Sequence, residues 1–270
     1  MNRLLRRLTL PLVFCLILGA AGCGSDAAES ASGGGQNTVR IAAASDLQAA
    51  LEDIADEFKK QEHDFNLSTT YGSSGTFYTQ LSNGAPFDLY LSADLTYADQ
   101  LVEAGKADEA DVFRYAVGRL VLWAAKDSPI DVEQGLAGLD TSDLVRLSIA
   151  NPEHAPYGVA AVAAMKEAGV YDAVVDKLVL GENVAQAAEF ASSGNAQAGI
   201  IALSLALTPE LQERGSYTEI PLDSYPTIDQ GGVVMSDARD PDAARAFRDF
   251  LTSDEGEAIL KRYGFYLPAS

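Results

Sequence analysis

Short apolar runs alternate with amphipathic stretches through most of this chain. Residues 39–43, 67–71, 87–91, 120–124, 147–150, 178–180, 199–203 and 233–235 are apolar or β-prone runs bounded by turn residues, and they predict strands. Between them apolar residues recur at every third or fourth position, which predicts helices near 47–60, 75–82, 96–104, 158–168, 184–192 and 241–262. Gly84, Gly105, Gly169 and Gly194 stand just past four of these stretches, where glycine readily closes a helix. Strands and helices in alternation predict an α/β fold with helices wrapped on the sheets, and no internal repeat interrupts the pattern.

Four strand-to-helix junctions share a chemistry. The first is Ala42-Ala43-Ala44-Ser45-Asp46-Leu47-Gln48, where Ser45-x-x-Gln48 has the form of a capping box ahead of a helix carrying Leu47, Leu51, Ile54 and Phe58. The second is Gly72-Ser73-Ser74-Gly75-Thr76, which leads into a helix with Phe77 and Leu81 that stops at Asn83-Gly84. The third is Asn151-Pro152-Glu153-His154-Ala155-Pro156-Tyr157-Gly158, and the fourth is Gly181-Glu182-Asn183-Val184. A strand ending at a helix start leaves several N–H groups aimed at one spot, with the positive end of the helix dipole behind them. Such a spot suits an anion, and hydroxyls and glycine backbone add donors without adding charge.

Other polar residues point to structural roles. Asp88 and Asp94 lie at the two ends of one strand with no histidine or third carboxylate at metal-ligand spacing, so turn and cap roles are expected of them. Asp140-Thr141-Ser142-Asp143 reads as a loop and helix start. Of the two histidines, His63 follows a charged helix end and is expected to face solvent, whereas His154 lies in the third junction. A hydrolase would need a histidine beside Ser45 or Ser74, and the chain contains no Gly-x-Ser-x-Gly elbow.

The N-terminus changes the picture of where the protein works. Arg3, Arg6 and Arg7 precede an apolar run over residues 8–21, too short for a comfortable membrane span and of the form of a signal peptide. Leu18-Gly19-Ala20-Ala21-Gly22-Cys23 resembles a bacterial lipobox, with Ala20 where leucine is usual; cleavage would remove residues 1–22 and leave Cys23 to carry the lipid. Residues 23–37 are small and polar and predict a flexible tether. Both cysteines fall at or before the cleavage point, so the folded part holds no disulfide and no thiol pair for a metal. Processing leaves 16 basic against 39 acidic residues, a net −23, which argues against nucleic acid or an anionic membrane as a partner through a basic face. An anion site can still work in so acidic a protein, because exposed charges are screened beyond about 10 Å at 0.1 M salt while N–H dipoles act at contact.

The four junctions, together with Gly84-Ala85-Pro86-Phe87-Asp88-Leu89, Ser92-Ala93-Asp94 and the closing Lys261-Arg262-Tyr263-Gly264-Phe265, resemble the molybdate-binding proteins of bacterial molybdate ABC transporters, in order and spacing over residues 38–270. The resemblance implies a type II periplasmic-binding-protein fold, α/β and two-lobed, with lobe 1 at 38–118 plus 230–270, lobe 2 at 119–229 and the ligand cleft between them. It implies that Ser45 and Ser74 give hydroxyl and backbone donors from lobe 1, and that the N–H groups of Tyr157 and Val184 come from lobe 2. It also implies a monomeric, non-enzymatic carrier, held to the outer face of the cell membrane by Cys23, that takes molybdate or tungstate, uses no cofactor, and passes its cargo to a permease. The family often places a tyrosine after the strand ending Ile200-Ile201, where this chain has Ala202. Two alternatives stay open: a binding protein for phosphate or sulfate, for which a buried Asp46 accepting a phosphate proton would speak, and a secreted serine hydrolase.

Overall fold

The computed structural model describes residues 37–61, 65–139 and 142–268. The proposed leader, Cys23 and its tether, His63, and Asp140 with Thr141 lie outside them.

The chain opens with β1 (Asn37–Ala44), a 3-10 turn at Ser45–Leu47, α1 (Gln48–Gln61), β2 (Phe65–Gly72) and α2 (Ser74–Ser82). It continues through β3 (Leu89–Ser92), α3 (Thr96–Glu103), β4 (Ala107–Gly118) and β5 (Leu120–Ala125). Then come β6 (Leu147–Ala150), α4 (Pro156–Glu167), α5 (Tyr171–Val174), β7 (Leu178–Gly181), α6 (Val184–Ser192) and β8 (Ala198–Ala202). The last part holds α7 (Leu203–Ala206), α8 (Pro209–Arg214), β9 (Gly215–Glu219), β10 (Ile228–Met235), α9 (Pro241–Leu251) and α10 (Asp254–Arg262).

These strands form two five-stranded sheets, ordered β2-β1-β3-β10-β4 and β7-β6-β8-β5-β9. In the first, β1 runs parallel to β2 and β3, and β10 runs antiparallel to β3 and β4. In the second, β6 runs parallel to β7 and β8, and β5 runs antiparallel to β8 and β9. The chain passes from the first sheet to the second between Gly118 and Leu120 and returns between Glu219 and Ile228. Each sheet with its helices makes one lobe, and the strand order places the carboxyl ends of β1, β2 and β3 against those of β6 and β7. In open α/β sheets that edge is where ligands bind, because the helix N-termini gather there.

Helices cover both faces of the first sheet. Ile41, Leu51, Ile54, Phe58, Phe247 and Leu260 pack on one face, and Phe77, Tyr90, Leu101 and Val233 on the other. Phe58 meets Phe247 edge to face with ring centroids 5.3 Å apart. The second lobe closes on Trp123, Leu147, Ile149, Ala161, Ile200 and Ile201. Burial on both faces explains why β3 and β6 are mostly apolar, with the hydroxyls of Ser92 and Ser148 bonded to main-chain carbonyls.

The structure departs from the sequence pattern in four places. Strands β4 and β9 carry no clear apolar run; both lie at sheet edges, where solvent wets part of the strand and polar residues such as Asp108, Glu109 and Thr218 fit. Short helices α5, α7 and α8 are likewise absent from the predicted set. The single helix expected over 241–262 is two helices, because the Ser253 hydroxyl accepts from Gly256 N–H and caps a new start at Asp254. The Ser45-x-x-Gln48 capping box does not form: Ala44 precedes the turn, and Gln48 reaches along α1 to Glu52. Ser45 is used elsewhere, across the cleft.

Asp94 caps its turn as expected, accepting from Thr96 N–H and hydroxyl. Asp88 is more than a turn residue. It is 1% exposed and accepts from the main chain of Arg40 and Arg239 and from both ends of the Arg40 guanidinium.

Candidate functional site

A small cavity of about 10 Å³ lies where the two lobes meet. It is lined from one side by Ser45, Asp46, Ser73 and Ser74 and from the other by Tyr157 and Val184, among others. Pockets for drug-sized ligands run to roughly 300–1,000 Å³, so this space is far smaller than those. Among the described residues no lysine or arginine lines it.

All four predicted residues, Ser45, Ser74, Tyr157 and Val184, wall this cavity, and each is at most 3% exposed. The Ser74 hydroxyl oxygen accepts from Ala93 N–H at 2.9 Å, and the Ser45 hydroxyl oxygen accepts from Ala185 N–H at 3.3 Å. A serine whose oxygen already accepts still has its own proton to give. Tyr157 and Val184 stand in the first turns of α4 and α6, where a main-chain N–H has no partner within the helix. The wall therefore offers two hydroxyl protons and two helix-start N–H groups, with the positive ends of the dipoles behind them.

The lobes also hold each other directly. Gly75 N–H donates to the His154 carbonyl at 2.9 Å, and the Ser73 hydroxyl donates to the same carbonyl at 2.5 Å. Gly75 is required there, since an added Cβ would lie 2.7 Å from that carbonyl oxygen. His154 Nδ1 lies 2.9 Å from the Ser73 hydroxyl. His154 Nε2 lies 3.9 Å from the Glu182 carboxylate. The arrangement is a clasp; it places the histidine beside Ser73 rather than beside Ser45 or Ser74, the pairing a hydrolase required.

Behind the cavity wall sits a buried polar cluster. Asp46 Oδ2 accepts from the Tyr157 hydroxyl at 2.9 Å and from Gln230 Nε2 at 2.5 Å, while Gln230 Nε2 also lies 3.1 Å from the Tyr157 oxygen. The Ser204 hydroxyl donates to the Asp46 main-chain carbonyl at 2.7 Å. Burial pushes the Asp46 carboxyl up to about 6, against partial relief from Gln230, Tyr157 and its own N–H. Burial and the neighbouring Asp46 charge raise the Tyr157 phenol far above its ordinary range, so it stays protonated. The Tyr157 hydroxyl is committed to Asp46 and does not stand in for a tyrosine at Ala202, which is itself fully buried ahead of α7. Gly118, at the first crossing between lobes, backs onto this cluster; an added Cβ would collide with the Tyr157 hydroxyl.

Sequence reading missed Ser73, Ser204 and Gln230 as site residues. Ser73 carried a signal, being one of two adjacent serines in a glycine-flanked loop. Gln230, fully buried in β10, carried only a weak one, as an amide a few residues ahead of the apolar run 233–235. Nothing in the local sequence marks Ser204.

A family profile described as bacterial extracellular solute-binding protein matches residues 39–266. The chain is 38% identical over 256 residues to the molybdate-binding protein ModA of Azotobacter vinelandii, covering 95% of this chain and 97% of that protein. It is 43% identical over 199 residues to ModA of Rhodobacter capsulatus, covering 74% and 77%. Among solved structures, the Azotobacter vinelandii periplasmic molybdate-binding protein superposes with a TM-score of 0.80 at 30% identity, over 86% of this chain and all of that one. Two α/β lobes with a cavity at their junction, and a profile match that spans both, make this chain a member of the bacterial extracellular solute-binding protein family.

Proposed function

We propose that this protein captures molybdate, and tungstate alongside it, outside the cytoplasmic membrane and delivers it to an ABC transporter. The observation that carries the reading is a small cavity with no lysine or arginine in its wall, bounded by hydroxyls and helix-start N–H groups from both lobes. The similarity to proteins named for molybdate binding supports the choice of anion. Burying a dianion is tolerable only when nearly every oxygen is hydrogen-bonded, and neutral donors meet that need without an opposite charge to separate when the lobes reopen. Sulfate is smaller and would not span donors on both lobes at once. In this reading the protein is a monomeric carrier without a cofactor, not an enzyme, and Cys23 tethers it by lipid beside its permease.

A second reading has one observation in its favour. Asp46 lines the cavity and holds its carboxylate just behind the wall, and an acceptor so close would suit the proton of hydrogenphosphate.

Thermal unfolding of the purified protein separates the two. Ligand at about 100 times its dissociation constant stabilises the native state by about 2.7 kcal/mol, a shift of several degrees at this size. Shifts with molybdate and tungstate but not with sulfate or phosphate are expected; a shift with phosphate alone would transfer the assignment to phosphate. The variant His154→Ala removes one neutral hydrogen bond of the clasp, worth about 0.5–1.5 kcal/mol, so molybdate affinity should stay within roughly tenfold of native. Loss of binding beyond a hundredfold would make His154 a ligand instead of a clasp.

A further inference from the structure

Asp46 is the one acid in the cavity wall, and the geometry around it is lopsided. The residue is 1% exposed, and Oδ2 accepts from Tyr157 and from Gln230. Among the described residues Oδ1 has no hydrogen-bond partner. The groups facing it from every packed element are neutral: Tyr157 from α4, Gln230 from β10, Tyr115 from β4 and Ser204 from α7. None of the groups acting on its carboxyl is a cation.

A dianion entering this cavity would lie against a carboxylate with nothing positive to offset either charge. At about 5 Å and an effective dielectric of 20, a dianion and a carboxylate repel by roughly ten times thermal energy. A proton on Oδ1 removes that repulsion.

We propose that oxyanion capture is coupled to uptake of one proton by Asp46 at Oδ1, so that the ligand binds beside a neutral carboxylic acid. The inference rests on the oxyanion reading above. The balance is simple: one ionised Asp46, one proton from solvent and one dianion give a complex in which the acid O–H is intact and no covalent bond to the ligand forms. The empty protein already leans toward this state, since burial has moved the carboxyl up to about 6, and the bound anion moves it further in the same direction. Hydrogenphosphate, which carries its own proton, would bind to an ionised Asp46 with no uptake.

Titration calorimetry of the purified protein with molybdate at pH 7.5, in two buffers of different ionisation enthalpy, counts the protons. About one proton taken up per molybdate is expected, and the affinity should fall about tenfold per pH unit between roughly 6.5 and 8.5. In Asp46→Asn both signals should vanish: no uptake, and an affinity flat across that range. Zero uptake by the native protein, with a flat pH profile, would overturn the proposal whether or not the variant folds. Uptake that persists in Asp46→Asn would overturn it as well, by placing the proton elsewhere. Failure of the native protein to bind molybdate or tungstate at any pH would instead remove the oxyanion reading, and this inference with it.

Discussion

Replacing Ser45 and Ser74 together by alanine is expected to weaken molybdate binding by about two to four powers of ten. Each hydroxyl proton given to an anion is worth roughly 1.5–3 kcal/mol, and about 1.4 kcal/mol is a factor of ten. The two serines come from different junctions of one lobe, after β1 and after β2, and both oxygens already accept a main-chain N–H, from Ala185 and Ala93. Their protons therefore have the cavity as their outlet. The substitution also strips Ala93 N–H of its acceptor, which costs stability, so the variant's unfolding temperature should be recorded beside its affinity. Since both groups contact one ligand, the single variants need not add up to the double. Calorimetry that finds the folded double variant within tenfold of native would remove both hydroxyls from the site.

Asp88→Ala is expected to destabilise the empty protein by about 3–5 kcal/mol, the usual cost of removing one partner of a buried ion pair. Four hydrogen bonds converge on this carboxylate: Arg40 N–H at 2.8 Å, Arg40 Nε at 2.9 Å, Arg40 Nη2 at 2.8 Å and Arg239 N–H at 2.9 Å. They tie β1, the approach to β3 and the exit from β10, three neighbours in the first sheet. At roughly 2–4 °C per kcal/mol for a protein of this size, a drop of about 6–20 °C in the thermal midpoint should follow. Burial alone would raise the Asp88 carboxyl, but the bonds from Arg40 and Arg239 outweigh it and hold the native value below the ordinary one. A depressed carboxyl stabilises fully above its unfolded value near 4 and loses that contribution as pH falls through the lower native value. The gap between native and variant midpoints should thus be constant from neutral pH down to about 4 and shrink below it. A gap of less than about 1 kcal/mol at neutral pH would reduce the pair to the worth of a surface contact.

Much of this protein is written locally. The strands β3, β5, β6 and β8 are buried, so their sequences are mostly apolar, and the helices between them carry one apolar stripe each. The junctions that form the cavity were legible for the same reason: a strand that ends in small or hydroxyl residues and runs into a helix has its donors fixed by backbone geometry. Ser45, Ser74, Tyr157 and Val184, named through the family resemblance, stand at the turn and helix starts that spacing marks, and all four line the cavity. The weakly patterned β4 and β9 were not legible, since an edge strand is wetted on part of its surface and keeps little alternation.

Tertiary structure alone decided which polar groups meet. Ser45 looks like a cap for α1 and instead receives Ala185 from the other lobe, because a hydroxyl bonds to whichever donor packing brings nearest. Asp88 looks like a turn residue until Arg40 and Arg239 close on it. Asp46, Tyr157 and Gln230 are spread over nearly the whole folded chain, yet they share one hydrogen-bonded cluster beside the cavity. Local spacing sets where donors point; only the packing of two lobes sets which acceptor they find, and whether a carboxylate among them is left to carry its charge in the dark of the interior or must take a proton.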